Sequence, residues 1–266
     1  ADKLRAGFIL PLSGPSSFWG AQMRDGAVLA YEQLPDAIRS QITLEFEDDA
    51  FSAKNTVSAY RKLEQSGELD LVVVFGSSAA EALIPTVERD KVPMVVITAL
   101  ENVSVDKLYV FRYWLSSLGQ AQSTVNELNK RKLNRIAVVV ASFSALLDVE
   151  EKFKITLGES AQIVVREEIP TEMTDFRALI ARILGNRPNA IYMLLLPGQI
   201  SAFAKQLRTN DKNIQVFGNS TIENGNEVKA AAGSMEGIIY PGPAFSPTFI
   251  KQFNDRFGHL PEMAAG

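Results

Sequence analysis

His259 is the only imidazole in the sequence and there is no cysteine. Thiol nucleophiles and cysteine-ligated zinc are therefore excluded, and a histidine acid–base pair has no second member. His259 stands in a Gly258-His259-Leu260-Pro261 turn and reads as a surface residue. No G-x-G-x-x-G, no G-x-x-x-x-G-K-[ST] and no G-x-S-x-G occurs, so dinucleotide, P-loop and esterase chemistry are not signalled. Glu47-Asp48-Asp49 is the one acidic run with metal-ligand potential. It reads better as a strand end whose carboxylates tie a loop or cap the next helix. The expectation is a non-enzyme with no catalytic residue, no metal site and no cofactor.

What remains is recognition chemistry: hydroxyls, aromatic rings and backbone N–H groups in short turns. Pro11-Leu12-Ser13-Gly14-Pro15-Ser16-Ser17 leads into Phe18 and Trp19. That aromatic pair reads either as core packing or as an apolar wall over a ligand. Gly76-Ser77-Ser78 follows a buried apolar run. Ser78-x-x-Glu81 has the spacing of a capping box, which leaves the Ser77 hydroxyl and local N–H groups for a ligand acceptor. Thr98-Ala99-Leu100 is the next turn of the same kind. Phe143, in Ala141-Ser142-Phe143-Ser144, and Asn219-Ser220 are the equivalents further along. The candidate ligand residues are thus Phe18, Trp19, Ser77, Ser78, Thr98, Ala99, Leu100, Phe143, Asn219 and Ser220. Rings and hydroxyls with few charges suit a neutral or aromatic-leaning ligand.

The elements that must carry these turns alternate regularly. Apolar periodicity predicts strands over 4–12, 42–47, 69–75, 92–97 and 109–112, with helices over 18–34, 53–65 and 79–89. A second cycle has helices over 120–131, 145–157, 175–184 and 200–209, and strands over 135–140, 163–168, 190–196, 214–217 and 237–240. A last helix is expected over 249–257. Alternation of strands with helices of this length predicts α/β architecture, with two doubly wound parallel-sheet lobes joined by a hinge. The lobes are expected to comprise residues 1–117 with 247–266, and 118–246. In open α/β sheets ligands sit beyond the carboxyl ends of the strands, which is where the turns singled out above fall.

Composition narrows the partners. A formal charge of −4 without a long basic run gives no footprint for nucleic acid or anionic lipid. The longest apolar runs, such as 71–75, have strand length, not the length of a membrane span. Ala1-Asp2-Lys3 ahead of an apolar strand has the look of a mature end left by signal removal.

With these residues in hand, the chain resembles the leucine/isoleucine/valine-type periplasmic substrate-binding proteins of ABC importers, which have the type I periplasmic binding fold. The resemblance rests on Gly7-Phe8-Ile9, Leu12-Ser13-Gly14-Pro15 with Trp19-Gly20, Asp48-Asp49-Ala50, Gly76-Ser77-Ser78, Phe111-Arg112, Asp175-Phe176-Arg177 and Phe253…Phe257-Gly258…Pro261. It covers almost the whole chain in order. It implies a monomeric periplasmic protein that traps a small molecule by hinge closure and delivers it to a membrane permease. It also implies that Ser77 is the family's ligand-binding serine, and that a further helix, strands and a third crossing follow Gly266. The alternative is a ligand-sensing input domain of a receptor or regulator with the same fold. Leu100 stands where the family has a hydroxyl, and Ser220 where it has the acidic partner of an α-ammonium, with Glu223 near. A buried ammonium without its carboxylate costs several kcal/mol, so a free α-amino acid is not the expected ligand.

Overall fold

The computed structural model describes residues 3–266, the side chain of Met263 excepted; Ala1 and Asp2 of the expected processed end lie outside the described residues. The chain divides into two compact units. The first runs through Trp114 and resumes at Pro243–Gly266, and the second is Leu115–Gly242.

The first unit contains β1 (Leu4–Leu10), α1 (Ser17–Glu32), α2 (Asp36–Arg39), β2 (Ile42–Asp48), α3 (Ala53–Gln65), β3 (Leu71–Phe75), α4 (Ser77–Asp90), β4 (Met94–Ile97) and β5 (Val110–Arg112). Its strands form one parallel sheet in the order β2-β1-β3-β4-β5. The middle of β3 is buried, as the continuous apolar run Leu71–Phe75 requires of a strand covered on both faces. Two glycines of α1 permit backbone approaches that a side chain would block. A Cβ at Gly20 would stand 2.1 Å from the Pro11 carbonyl oxygen, and one at Gly26 would stand 1.9 Å from that of Ala265.

The second unit contains α5 (Ser117–Lys130), β6 (Arg135–Ala141), α6 (Ser144–Leu157), β7 (Gln162–Ile169), α7 (Arg177–Gly185), β8 (Ala190–Leu194), α8 (Ile200–Asn210), β9 (Gln215–Gly218) and α9 (Gly225–Ala231). Its parallel sheet has the order β7-β6-β8-β9. The inner strands β6 (after Arg135) and β8 are wholly buried, while edge strand β7 carries charge. The last helix, α10 (Pro247–Phe257), belongs to the first unit, where Phe253 packs with Leu29 and Ala265.

The α/β class with two parallel sheets is as expected. Three local expectations are corrected. The strand over 237–240 is a single bridge, Ile239 to Phe217, because Gly237 at φ 76° breaks the extended run before it and Pro241 has no N–H to continue it. The short helices α2 and α9 were not foreseen. The capping box at Ser78 and Glu81 does not form: Gly76, at φ 93° and ψ 151°, ends the turn, so Ser77 and Ser78 already lie in the first turn of α4. Only glycine adopts that conformation cheaply, and its lack of a side chain removes the cap bond.

Candidate functional site

Each sheet has one topological switch point, where successive crossovers leave in opposite directions and open a crevice at the carboxyl ends. In the first unit it lies between β1 and β3, and in the second between β6 and β8. The turns Pro11–Ser13 and Gly76–Ser78 flank the first crevice. Ala141–Ser144 and Leu195–Gly198 flank the second.

In the first unit the structure gathers Phe18, Trp19, Ser77, Ser78, Thr98, Ala99 and Leu100 on one edge of one sheet. Ser77 is 0% exposed and Ser78 partly exposed. Thr98 and Leu100 are buried, and the Thr98 hydroxyl accepts the Leu100 N–H at 3.2 Å, which closes that turn. Trp19 is 1% exposed and packs in a core cluster with Leu10, Met23 and Ala264. Its ring meets Phe75 edge-on at 5.4 Å. Of the two roles open to the aromatic pair, burial gives Trp19 the packing one. Phe18 is partly exposed against the same cluster, as are Leu12, Phe75, Ile97 and Trp114. The carboxyl edge of this sheet is therefore rimmed by apolar and aromatic side chains around a serine turn.

Carboxylates shape this edge without lining it as ligands. Asp48 Oδ1 accepts the N–H groups of Leu12 (2.8 Å), Ser13 (3.2 Å) and Ala50 (2.8 Å). Burial opposes ionisation of Asp48, but the Ser13 hydroxyl and these N–H groups outweigh it and hold its carboxyl below the usual range. Asp49 accepts from the Phe51 N–H at 2.9 Å and from the Thr56 hydroxyl at 2.8 Å. Burial nevertheless pushes its carboxyl up. The expected loop-tying role of the acidic run is what these bonds describe. Among the described residues no group of three or more His, Cys, Asp or Glu side chains is arranged to hold a metal ion.

Two residues at this edge were missed by reading the sequence for ligand chemistry. Arg112, noted only within a family pattern, donates from Nη1 to the carbonyls of Thr98 (3.3 Å) and Trp114 (2.9 Å), and so fixes the Thr98–Leu100 turn. Phe51 stands 5.8 Å from Phe75, ring to ring. Its φ of 61°, following 48° at Ala50, is not legible in the residue types.

In the second unit Phe143, Asn219 and Ser220 occupy the carboxyl edge of the other sheet. Phe143 is partly exposed, and its carbonyl accepts the Leu146 and Leu147 N–H groups at the start of α6. Asn219 and Ser220 are buried. The Ser220 N–H donates to Gln120 Oε1 at 3.0 Å, a buried bond no sequence signal announced. Glu227 accepts the N–H groups of Gly198 and Ser201, each at 2.7 Å, and so caps α8 beside the same edge. Ser142 donates to Glu168 Oε1 at 2.9 Å, and Glu168 is paired with Arg166 at 2.9 Å. The Arg166 and Ser142 bonds hold the Glu168 carboxyl below its ordinary range. These charges are balanced within their own network.

Comparison with known proteins gives a consistent picture. The sequence pattern of a family described as "Periplasmic binding protein" matches residues 3–266. The Leu/Ile/Val-binding protein BraC3 of Rhizobium johnstonii is 26% identical over 225 residues, covering 82% of this chain and 61% of its own. This chain thus spans less than two thirds of that relative. A leucine binding protein, LivK, from Thermotoga maritima superposes with a TM-score of 0.89 at 17% identity, over 98% of this chain and 78% of that one. A solute binding protein of an ABC transporter from R. palustris, solved in complex with benzoate, gives 0.83 at 21% identity, over 99% and 76%. At these identities the superpositions establish a shared fold.

Proposed function

The chain belongs to the periplasmic binding protein family, and we propose that it is an exported, monomeric solute-binding protein without enzymatic activity that traps a small organic ligand, an aromatic acid or a neutral molecule, between its two units and hands it to an ABC permease. The observation that carries the ligand class is the rim of the first sheet. Phe18, Phe51 and Phe75 are each partly exposed around Gly76-Ser77-Ser78. The first turn of α4 supplies hydroxyls and a helix amino terminus for a carboxylate, and the rings supply area for an apolar body. The turns contributed by the second unit, with Phe143, Asn219 and Ser220, add a ring and neutral polar groups. A free α-ammonium would need a dedicated carboxylate there. Of the carboxylates on this edge, Glu227 is bonded to backbone N–H groups and Glu168 is paired with Arg166, so Glu223, close after Ser220, is the one that an amino-acid ligand would have to recruit.

The benzoate carried by one protein of the same fold is compatible with this chemistry. Among the described residues no helix is long and apolar enough to cross a membrane. Isothermal titration against benzoate, 4-hydroxybenzoate, leucine, isoleucine and valine tests the assignment. Binding of an aromatic acid with a fall in radius of gyration supports it. Tight binding of the aliphatic amino acids alone overturns the ligand class, and an unchanged radius on binding overturns the trapping step.

A further inference from the structure

Ala50 and Phe51 follow β2 with φ of 48° and 61°. Two consecutive non-glycine residues in the left-handed region are costly, and such strain persists only where the surroundings over-determine it. Here they do. The Ala50 N–H is held by Asp48, the Phe51 N–H by Asp49 Oδ1, the Ser52 N–H by the Asp49 carbonyl, and Asp49 Oδ2 by the Thr56 hydroxyl. The turn so clamped drops the Phe51 ring onto the next loop. The ring lies 5.8 Å from Phe75, and a Cβ on Gly76 would stand 3.1 Å from Phe51 Cε2. Gly76 is itself at φ 93°, and its N–H donates to the Ile97 carbonyl at 3.0 Å. The ring therefore seats on the residue whose unusual backbone starts α4 and sets where Ser77 and Ser78 point.

We infer that Phe51 is a positioning residue for the ligand-binding serine turn: the strained Ala50-Phe51 turn clamps its ring against Gly76 and so fixes Ser77 and Ser78 for a ligand carboxylate. The ligand part of this inference rests on the function proposed above, while the clamping of the turn does not. Phe51 has no polar group to offer a carboxylate, so its effect on the carboxylate passes through the loop it holds. Contact of its partly exposed ring with the ligand's apolar body alone would instead cost affinity without quickening exchange at residues 75–80. The absence of a side chain at Gly76 then has a second use besides backbone freedom, since it makes room for the ring.

The test compares wild type with Phe51→Ala, Phe51→Tyr and Gly76→Ala in the full chain, by two readouts. The first is amide hydrogen exchange of residues 75–80 in the unligated protein. Exchange is expected to quicken by about tenfold or more in Phe51→Ala and Gly76→Ala, with α10 unchanged and with Phe51→Tyr close to wild type. The second is titration with benzoate, where Phe51→Ala is expected to lose about tenfold or more in affinity and Phe51→Tyr to regain most of it. A merely structural role would lower the melting temperature and speed exchange throughout the first unit, leaving benzoate affinity of the folded protein unchanged. That pattern overturns the inference, as does local exchange unaltered in Phe51→Ala. If wild type binds no aromatic acid, the ligand reading has failed, and the exchange measurement alone decides whether Phe51 clamps the turn.

Discussion

Replacing Trp19 by alanine should unfold the first unit before it tells anything about a ligand. The indole is 1% exposed, in a cluster with Leu10, Met23 and Ala264 and flanked by Phe8, Leu12 and Phe75. Truncating a buried tryptophan costs about 3–5 kcal/mol in lost transfer energy and residual cavity. The edge-on contact with Phe75 at 5.4 Å adds about 0.5–1.5 kcal/mol beyond area. The expected loss is therefore about 3.5–6.5 kcal/mol, a large share of the stability of a domain held by roughly 5–15 kcal/mol. The assay is convenient, because Trp19 and Trp114 are the only tryptophans and both lie in the first unit. Fluorescence of the remaining Trp114 then follows urea unfolding of that unit alone, while far-UV dichroism follows the whole chain. Trp19→Phe, which keeps most of the apolar contact, should lose about 1–2 kcal/mol. An unchanged urea midpoint for Trp19→Ala, together with a large drop in benzoate affinity, would refute the packing role and return the ring to the ligand.

Three further outcomes are expected. Ser77→Ala should weaken benzoate binding by about 1–2 kcal/mol, or about 5–30-fold in Kd by titration, with the midpoint of unfolding moved by less than Trp19→Phe moves it. Gly26→Ala should destabilise the first unit by about 1–3 kcal/mol in the same urea assay, because its Cβ would stand 1.9 Å from the Ala265 carbonyl and must displace that backbone. Glu150, whose side chain is 2% exposed, is bonded to Arg166 at 2.6 and 2.8 Å and paired with Lys154 at 2.6 Å. Burial opposes its ionisation, but those partners prevail and hold its carboxyl below the ordinary 4.5. A depressed carboxylate contributes stability that is fully present above 4.5 and is lost as pH falls through the lower folded value. Melting temperature should hence decline below about pH 4.5 in wild type, and Glu150→Gln should be less stable at pH 7 with a shallower acid limb. An acid limb identical in the two proteins would remove Glu150 from the account.

The alternation of apolar strands and amphipathic helices was legible because burial imposes it residue by residue. A strand covered on both faces must read like Leu71–Phe75 or Ala190–Leu194, and a covering helix must keep an apolar stripe. Strand order was not written there, yet the β→α turns that carry the candidate residues could be named in advance, because β→α connections always emerge at the carboxyl ends of a parallel sheet. Ser77, Thr98, Phe143 and Ser220 follow from that rule. What the residue types left open was depth and backbone conformation. Trp19 reads equally as wall or core, and only the arrival of Leu10, Phe75 and the distant Ala264 around its ring decided for core. Ser78 and Glu81 have capping-box spacing, but Gly76 started the helix two residues earlier, so the spacing went unused. Gln120 holding Ser220, Arg112 holding Thr98 and Phe51 seated on Gly76 all join residues from separate elements. Such pairs depend on where three-dimensional packing brings side chains of ordinary type, and no local pattern in a single sequence encodes that.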